Sequence, residues 1–277
     1  MITSTTNNKV KRLVAFNQKT KARREEDIFV VEGAKMFLEA PASWIREIYV
    51  SEGFLNKCKK EPSNEINTIL SQHNYEIVSD EVFKKISDTQ TPQGILSVLK
   101  RPHYDFSKAI SEAEKNKSLF IVLEDLQDPG NLGTILRAGE GAGIAGIIMT
   151  EKTVDLFNPK VIRSTMGSVY RMPYYIVDNC VQAIKQLKDN KVSVYAAHLE
   201  DSVDYDTKNY KNATAFLIGN EGNGLKKETA DMATAYIKIP MLGQVESLNA
   251  AVATTILMYE AARQRRKNIS ERKWYLK

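Results

Sequence analysis

Residues 214–228 read TAFLIGNEGNGLKKE, and the way the chain leaves the apolar run at their start decides the fold. Ala215, Phe216, Leu217 and Ile218 lack the polar alternation of a half-exposed strand, which predicts a strand buried on both faces. The exit, IGNEGNGLKKE (218–228), carries three glycines and a central Asn220-Glu221 pair. A glycine-rich exit suggests a phosphate cradle, but a carboxylate is a poor neighbour for phosphate, so the stretch alone leaves its ligand open. Working outward, the same pattern repeats. LFIVLED (119–125), GIIMTE (146–151), RMPYYIV (171–177), VSVYAAHLE (192–200), TAFLIGN (214–220) and AYIKIPM (235–241) read as strands. Helical segments fall at 131–142, 158–167, 179–189 and 223–231, with a final helix from about 247 to 266. Strand–helix alternation with near-continuous apolar strands predicts an α/β fold whose mostly parallel sheet is covered on both faces.

The first hundred residues read as a smaller α/β unit. Val10, Leu13 and Val14 follow helical spacing inside a basic sequence. IFVVEG (28–33) is a strand followed by helix-like AKMFLEA, and IREIYVS (45–51) is a second strand. YEIVSDEVFKKIS (75–87) passes from strand to helix, with Ser79 or Asp80 as N-cap, and GILSVLKRP (94–102) is a strand stopped by Pro102. The polar stretch 101–118 lacks strand signal. The expected division is therefore a domain over 1–105, a linker over 106–117 and a second domain over 118–277.

Composition narrows the function classes. The 277 residues are 43% hydrophobic and 26% charged, as in a soluble globular protein, and no apolar run is long enough to span a bilayer. Cys58 and Cys180 form no CxxC pair, which suits a reducing compartment and a cytoplasmic location. The Ser/Thr-rich, acid-free start also has the composition of a transit peptide. His73, His103 and His198 are scattered without ligand-like spacing, so no metal site is expected. Net charge is +5, with +13 on residues 1–24 and 263–277 together and −8 on everything between. Two basic ends on an acidic body look like a handle for nucleic acid, with Lys9, Lys11, Arg12, Lys21, Arg23 and Arg24 expected against phosphates. The bland alternative is two solvated ends.

Two more strand exits resemble the opening stretch. In LEDLQDPGNLGTILRAGEGAG (123–143) a strand turns at Asp128-Pro129-Gly130, Asn131 is placed to cap a helix, and Gly133 and Arg137 share one helix face. In IPMLGQVESLNAAVATTILMYEAARQR (239–265) a strand ends at Pro240, a loop carries Gly243, and Ser247 is placed to cap a helix rich in small residues. Routine capping and close helix packing explain each alone. Three polar, glycine-bearing loops at the carboxyl ends of parallel strands are what a ligand site requires.

Together these residues resemble the three signature motifs of the SpoU/TrmH family, the RNA ribose 2′-O-methyltransferases of the SPOUT superfamily. The matches are N-L-G-x-x-x-R, I-G-N-E-G-x-G-L and I-P-M-x-G-x-x-x-S-L-N-x-x-V-A, in order, over about 160 residues. The stretch VKRLVAFNQKTKARREEDIFVVEGAKMFLEA looks like the ribosomal-protein-like substrate-binding domain many members carry. The resemblance implies a trefoil knot in the C-terminal domain, S-adenosylmethionine as cofactor, RNA, above all ribosomal RNA, as partner, and a homodimer through the C-terminal domain. It also implies that the glycine-rich exit is not a phosphate cradle. Gly219, Ile239, Met241 and Leu248, with Leu199 and Gly243, would hold the cofactor, and Gly219→Val would abolish its binding without loss of stability. Asn131, Arg137, Glu221, Ser247 and Asn249 would form the polar catalytic surface. Arg137 is the family's base, which sits badly with a guanidinium that stays protonated; anchoring phosphate and stabilising the forming alkoxide is the other role open to it. The small departure from the family pattern is Ala250-Ala251 in place of the more usual Val-Ser. A transfer-RNA enzyme of the same family and an inactive RNA-binding relative are the alternatives. A nucleotide hydrolase is disfavoured, because Leu225 stands where a G-x-x-x-x-G-K-[ST] loop needs lysine.

Overall fold

The computed structural model describes residues 1–60 and 65–266. Of the basic C-terminal end, residues 267–277 lie outside the described residues. The chain divides into two compact units, one of Met1–His103 with Asp155–Arg171, the other of Tyr104–Val154 with Met172–Lys277.

The first unit is built on a four-stranded sheet. Its strands are β1 (Ile28–Glu32), β2 (Ile45–Ser51), β3 (Glu76–Val78) and β4 (Ile95–Lys100), in the order β1-β4-β2-β3. β4 runs antiparallel to β1 and β2, and β2 runs parallel to β3. Alternation along each strand sends neighbouring side chains to opposite faces. Tyr49, Leu96 and Val98 join Val10, Leu13 and Phe16 of the first helix (Asn8–Gln18) in one core. Ile48, Val50 and Ile95 join Phe37, Leu55, Ile66 and Leu70 in the other. Three of those residues, Leu55, Ile66 and Leu70, come from helices Glu52–Lys60 and Glu65–Ser71, for which the sequence analysis gives no element. Of the two N-cap candidates it is Ser79 whose hydroxyl accepts from Val82 N at 3.2 Å.

Arg23 departs from the expected RNA-facing role. Its side chain is buried and its Nε donates to Asp155 at 3.0 Å, while the guanidinium also serves the Phe16 carbonyl and Thr20. A buried guanidinium needs every donor satisfied, and this one is an internal clamp rather than a phosphate contact. Lys9 pairs with Glu76, Arg12 with Glu47 and Lys21 with Glu25. Lys11, Lys19 and Arg24 are exposed and make no ion pair among the described residues.

The second unit holds a seven-stranded, all-parallel sheet. Its strands are β5 (Leu119–Leu123), β6 (Gly146–Thr150), β7 (Tyr174–Val177), β8 (Ser193–Ala197), β9 (Val203–Asp204), β10 (Thr214–Ile218) and β11 (Ala235–Lys238). The order is β7-β6-β5-β10-β8-β11-β9. Every residue of β5, β6 and β10 is buried, as the unbroken apolar runs require. The chain winds outward from β5 through β6 to β7, then returns to build the other half, so the strand order reverses beside β5 and β10. In open parallel sheets that reversal is where the loops part and ligands enter. Segment 106–117, expected as a linker, carries helices Phe106–Ser111 and Ala113–Asn116, and Ile110 and Ala113 belong to this unit's core. Conversely 155–171, expected in the C-terminal domain, groups with the first unit, where Phe157 packs on Phe29 at 4.8 Å.

Candidate active site

The exits of β5 and β10 are pinned to each other. Glu124, almost fully buried, accepts from Thr229 Oγ1 at 2.6 Å and from Lys226 N at 2.9 Å. Asp125 accepts from Thr150 Oγ1 and from Lys226 Nζ, both at 2.8 Å, and its carbonyl accepts from Asn220 Nδ2 at 2.9 Å. Burial raises the Asp125 carboxyl, but the hydrogen bonds from Lys226 and Thr150 outweigh it and hold the group below the ordinary aspartate range.

The first helix after β5 runs Pro129–Ala142, and its cap is Asp128, whose Oδ1 accepts from Asn131 N at 2.7 Å. Asn131 is therefore not the cap. Proline at the first helical position lacks the N–H that would otherwise go unpaired, which moves the start upstream. Its place in the first turn frees the Asn131 side chain to reach across: Nδ2 donates to Glu221 Oε1 at 3.0 Å, and Oδ1 accepts from Asn249 Nδ2 at 2.9 Å. A carboxylate only accepts, so Glu221 fixes which way the Asn131 amide faces, and that in turn fixes Asn249. Glu221 also accepts from Gln127 N at 3.0 Å and Asp128 N at 2.9 Å. Burial raises its carboxyl, but the donors at Gln127, Asn131 and Asp128 outweigh burial and hold it below the usual range. One hydrogen-bonded line, Glu221–Asn131–Asn249, thus ties all three motifs together.

Asn249, not Ser247, caps the last helix, Ala250–Arg265, with Oδ1 accepting from Ala251 N at 2.9 Å and Val252 N at 3.3 Å. The glycine-rich exit closes on itself through Asn220 N to Gly224 O at 3.0 Å and Gly224 N to Asn220 O at 2.9 Å. A Cβ on Gly219 would lie 2.0 Å from the Gly224 carbonyl carbon and 2.2 Å from Leu225 N. Glycine is needed there by the loop's own backbone, whatever binds beside it, so the expectation that Gly219→Val spares stability does not hold.

A cavity of about 530 Å³ opens where these exits meet. Leu199, Gly219, Ile239, Met241 and Leu248 line it, as do Glu221, Ser247 and Asn249. Three expected site residues are not part of its wall. Gly243 lies in the exposed loop before Ser247, and Asn131 reaches the wall only through Glu221 and Asn249. Arg137 stands exposed on its helix, and its side chain makes no hydrogen bond or ion pair among the described residues. Sequence reasoning missed His198 and Glu246, both in the wall. The signal for His198 was its place at the carboxyl end of VSVYAAHLE, next to Leu199.

Comparison with known proteins divides the chain in sequence order, so that 155–171, which groups with the first compact unit, falls inside the C-terminal match. The model of the SpoU rRNA Methylase family matches residues 118–259, and that of the MRM3-like substrate binding domain matches residues 7–97. The chain is 30% identical to the 23S rRNA (guanosine(2553)-2′-O)-methyltransferase RlmP of Bacillus subtilis, over 93% of this chain and 97% of that one. It is 33% identical to an uncharacterized tRNA/rRNA methyltransferase of Synechocystis, over 95% and 93% of the two chains. A solved structure of an AdoMet-bound rRNA methyltransferase from Sinorhizobium meliloti superposes with a TM-score of 0.82 at 31% identity, covering 96% of this chain and 98% of that one. Matched in both parts, and along nearly its whole length by these relatives, the chain belongs to the SpoU rRNA methylase family.

Proposed function

We propose that this protein transfers a methyl group from S-adenosylmethionine to a ribose 2′-hydroxyl of RNA, ribosomal RNA in the first place. The observation that carries the reading is the line Glu221–Asn131–Asn249, which joins three distant motifs at the wall of one cavity. The cavity suits the cofactor in size and chemistry. Its volume is that of a small-molecule site, and Leu199, Ile237, Ile239, Leu248 and Leu257 offer apolar surface for a nucleoside. Glu221 and Glu246 put negative charge on the same wall, favourable for a sulfonium cation. S-adenosylmethionine, when bound, supplies an electrophilic methyl group.

What remains is the work of the chain's own residues. Glu221 is committed to three donors and held deprotonated, which suits a fixed anchor better than a proton acceptor. Asn249 and Ser247 line the same cavity, where a hydroxyl can be oriented for attack. Arg137, whose side chain has no hydrogen-bond or ion-pair partner among the described residues, is free to grip an RNA phosphate at two points and to stabilise the alkoxide as the hydroxyl proton passes to water. The relative from Bacillus subtilis supports ribosomal RNA as substrate, and the substrate-binding model over 7–97 supports a role for the first unit in holding it. The proposal extends to a cytoplasmic location, the trefoil knot, and a homodimer through the second unit. Leu242, Val245, Val252 and Tyr259 form an exposed apolar set there that a second copy would cover. Mapping 2′-O-methyl sites in total RNA from cells with and without the gene tests the reading. Loss of one ribose methylation in ribosomal RNA is expected, and an unchanged map would contradict it.

A further inference from the structure

His198 follows the end of β8 and lines the cavity, yet no step described above uses it. Its ring is held from two sides. It packs on the Tyr236 ring at 4.9 Å between centroids, and the Tyr236 hydroxyl donates to Asp231 at 2.8 Å, which fixes that ring in turn. His198 Nδ1 lies 3.1 Å from the Glu200 carbonyl oxygen. A carbonyl can only accept, so Nδ1 carries the proton, and in the neutral ring Nε2 is left as a bare acceptor. No protein donor among the described residues meets it. The surroundings say which part of a ligand it would face. Ala197 and Leu199 flank His198 along the chain and line the cavity with it, as do Ile237 and Lys238, and the His198 N–H donates to the Ile237 carbonyl at 3.0 Å. The carboxylates and side-chain amides of the wall, Asn220, Glu221, Glu246 and Asn249, belong to the other two strand exits.

We propose that His198 is a specificity residue for the cofactor, its Nε2 accepting a hydrogen bond from a hydroxyl or amino group of the nucleoside portion. The assignment rests on the proposed use of S-adenosylmethionine. A fixed acceptor favours a ligand that presents a donor and disfavours one that presents a carboxylate or phosphate oxygen. Its position is set by Tyr236 and Glu200 before any ligand arrives, so little ordering is lost on binding.

The test is calorimetric binding of S-adenosylhomocysteine and of 5′-methylthioadenosine, which lacks the amino-acid part, to wild type, His198→Phe and His198→Gln. Phenylalanine keeps a ring against Tyr236 and loses the acceptor, and glutamine restores an acceptor oxygen near the Nε2 position. His198→Phe is expected to weaken both ligands by the same factor, roughly five- to tenfold, with an unchanged melting temperature, and His198→Gln to recover most of it. Wild-type affinity in His198→Phe would overturn the assignment. So would loss confined to S-adenosylhomocysteine, which would place the donor on the amino-acid part, or a failure of glutamine to restore binding. If wild type bound neither ligand, the cofactor reading itself would fall and His198 with it. Binding by wild type with an indifferent phenylalanine variant would remove only His198.

Discussion

At the scale of single residues, Arg137 and Gly219 make opposite demands on the chain. The Arg137 side chain makes no hydrogen bond or ion pair among the described residues, so replacing it should cost activity and little else. In single turnover on the true RNA, Arg137→Lys and Arg137→Ala are both expected to lose nearly all activity while binding cofactor normally. Lysine keeps the charge but not the planar fork, and no recovery toward alkaline pH is expected from the proposed role as a phosphate anchor. Substantial activity in the alanine variant would remove Arg137 from the mechanism. Gly219 is the reverse case: a Cβ 2.0 Å from the Gly224 backbone forces the loop open, so Gly219→Ala should lower the melting temperature as well as abolish cofactor binding. A cleaner probe of the cavity is Ala253→Leu, which fills space in the wall from the last helix and should block binding with a nearly unchanged melting temperature. Glu221 adds a pH dependence. Its folded carboxyl titrates below the ordinary glutamate range, so its contribution to stability is complete above that range and is lost as pH falls through the lowered value. Wild type should therefore melt above Glu221→Gln at neutral pH, by about 1 kcal/mol of hydrogen bonding, with the gap closing only in acid below the ordinary range. A gap that persisted in strong acid would mean the carboxylate is not what holds the loop.

At the scale of elements, the first helices carry a test that separates structure from RNA contact. Arg23 and Asp155 are a buried pair, and Arg23→Ala would leave a carboxylate without its partner, at a cost of about 3–5 kcal/mol. Chemical denaturation should show that loss; an unchanged midpoint would contradict the clamp. Replacing the free cations Lys11, Lys19 and Arg24 should leave stability alone and reduce the salt dependence of RNA binding, by roughly two in the logarithmic slope. An unchanged slope would make this helix face merely solvated. Much of this was legible beforehand, and the exceptions have physical reasons. β5, β6 and β10 were visible because strands buried on both faces must be apolar throughout. The helix starts were misplaced at Asn131 and Ser247 because a polar residue before an apolar run suits a cap and a site equally well. The choice fell to Asp128 and Asn249, one favoured by a following proline and the other by the cross-link it shares with Asn131. Arg23 misled because charge along a sequence does not reveal which guanidinium has a carboxylate waiting 132 positions on.

At the scale of the whole molecule, the last helix divides its residues between the core and the surface. Ala251, Thr254 and Ala261 are buried within the chain itself, and Tyr259 reaches so near Gly141 that a Cβ there would sit 2.8 Å from the hydroxyl. The proposed homodimer would cover the exposed Leu242, Val245, Val252 and Tyr259. Val252→Asp with Leu242→Asp should shift the protein from dimer to monomer in sedimentation at micromolar concentration, and a wild-type monomer would count against the homodimer. The division into two units also cuts across the sequence order, since 155–171 groups with residues from the other end of the chain. No local pattern reveals a segment's long-range partners, whereas the motif order and the parallel sheet could be read directly. Methyl transfer is tested by incubating the purified protein with methyl-labelled S-adenosylmethionine and ribosomal RNA from cells lacking the gene, digesting the RNA, and identifying the labelled nucleoside by mass spectrometry. The expected product is a single 2′-O-methylnucleoside, absent with Arg137→Ala; label on a base, or no transfer by protein that binds the cofactor, would contradict the assignment.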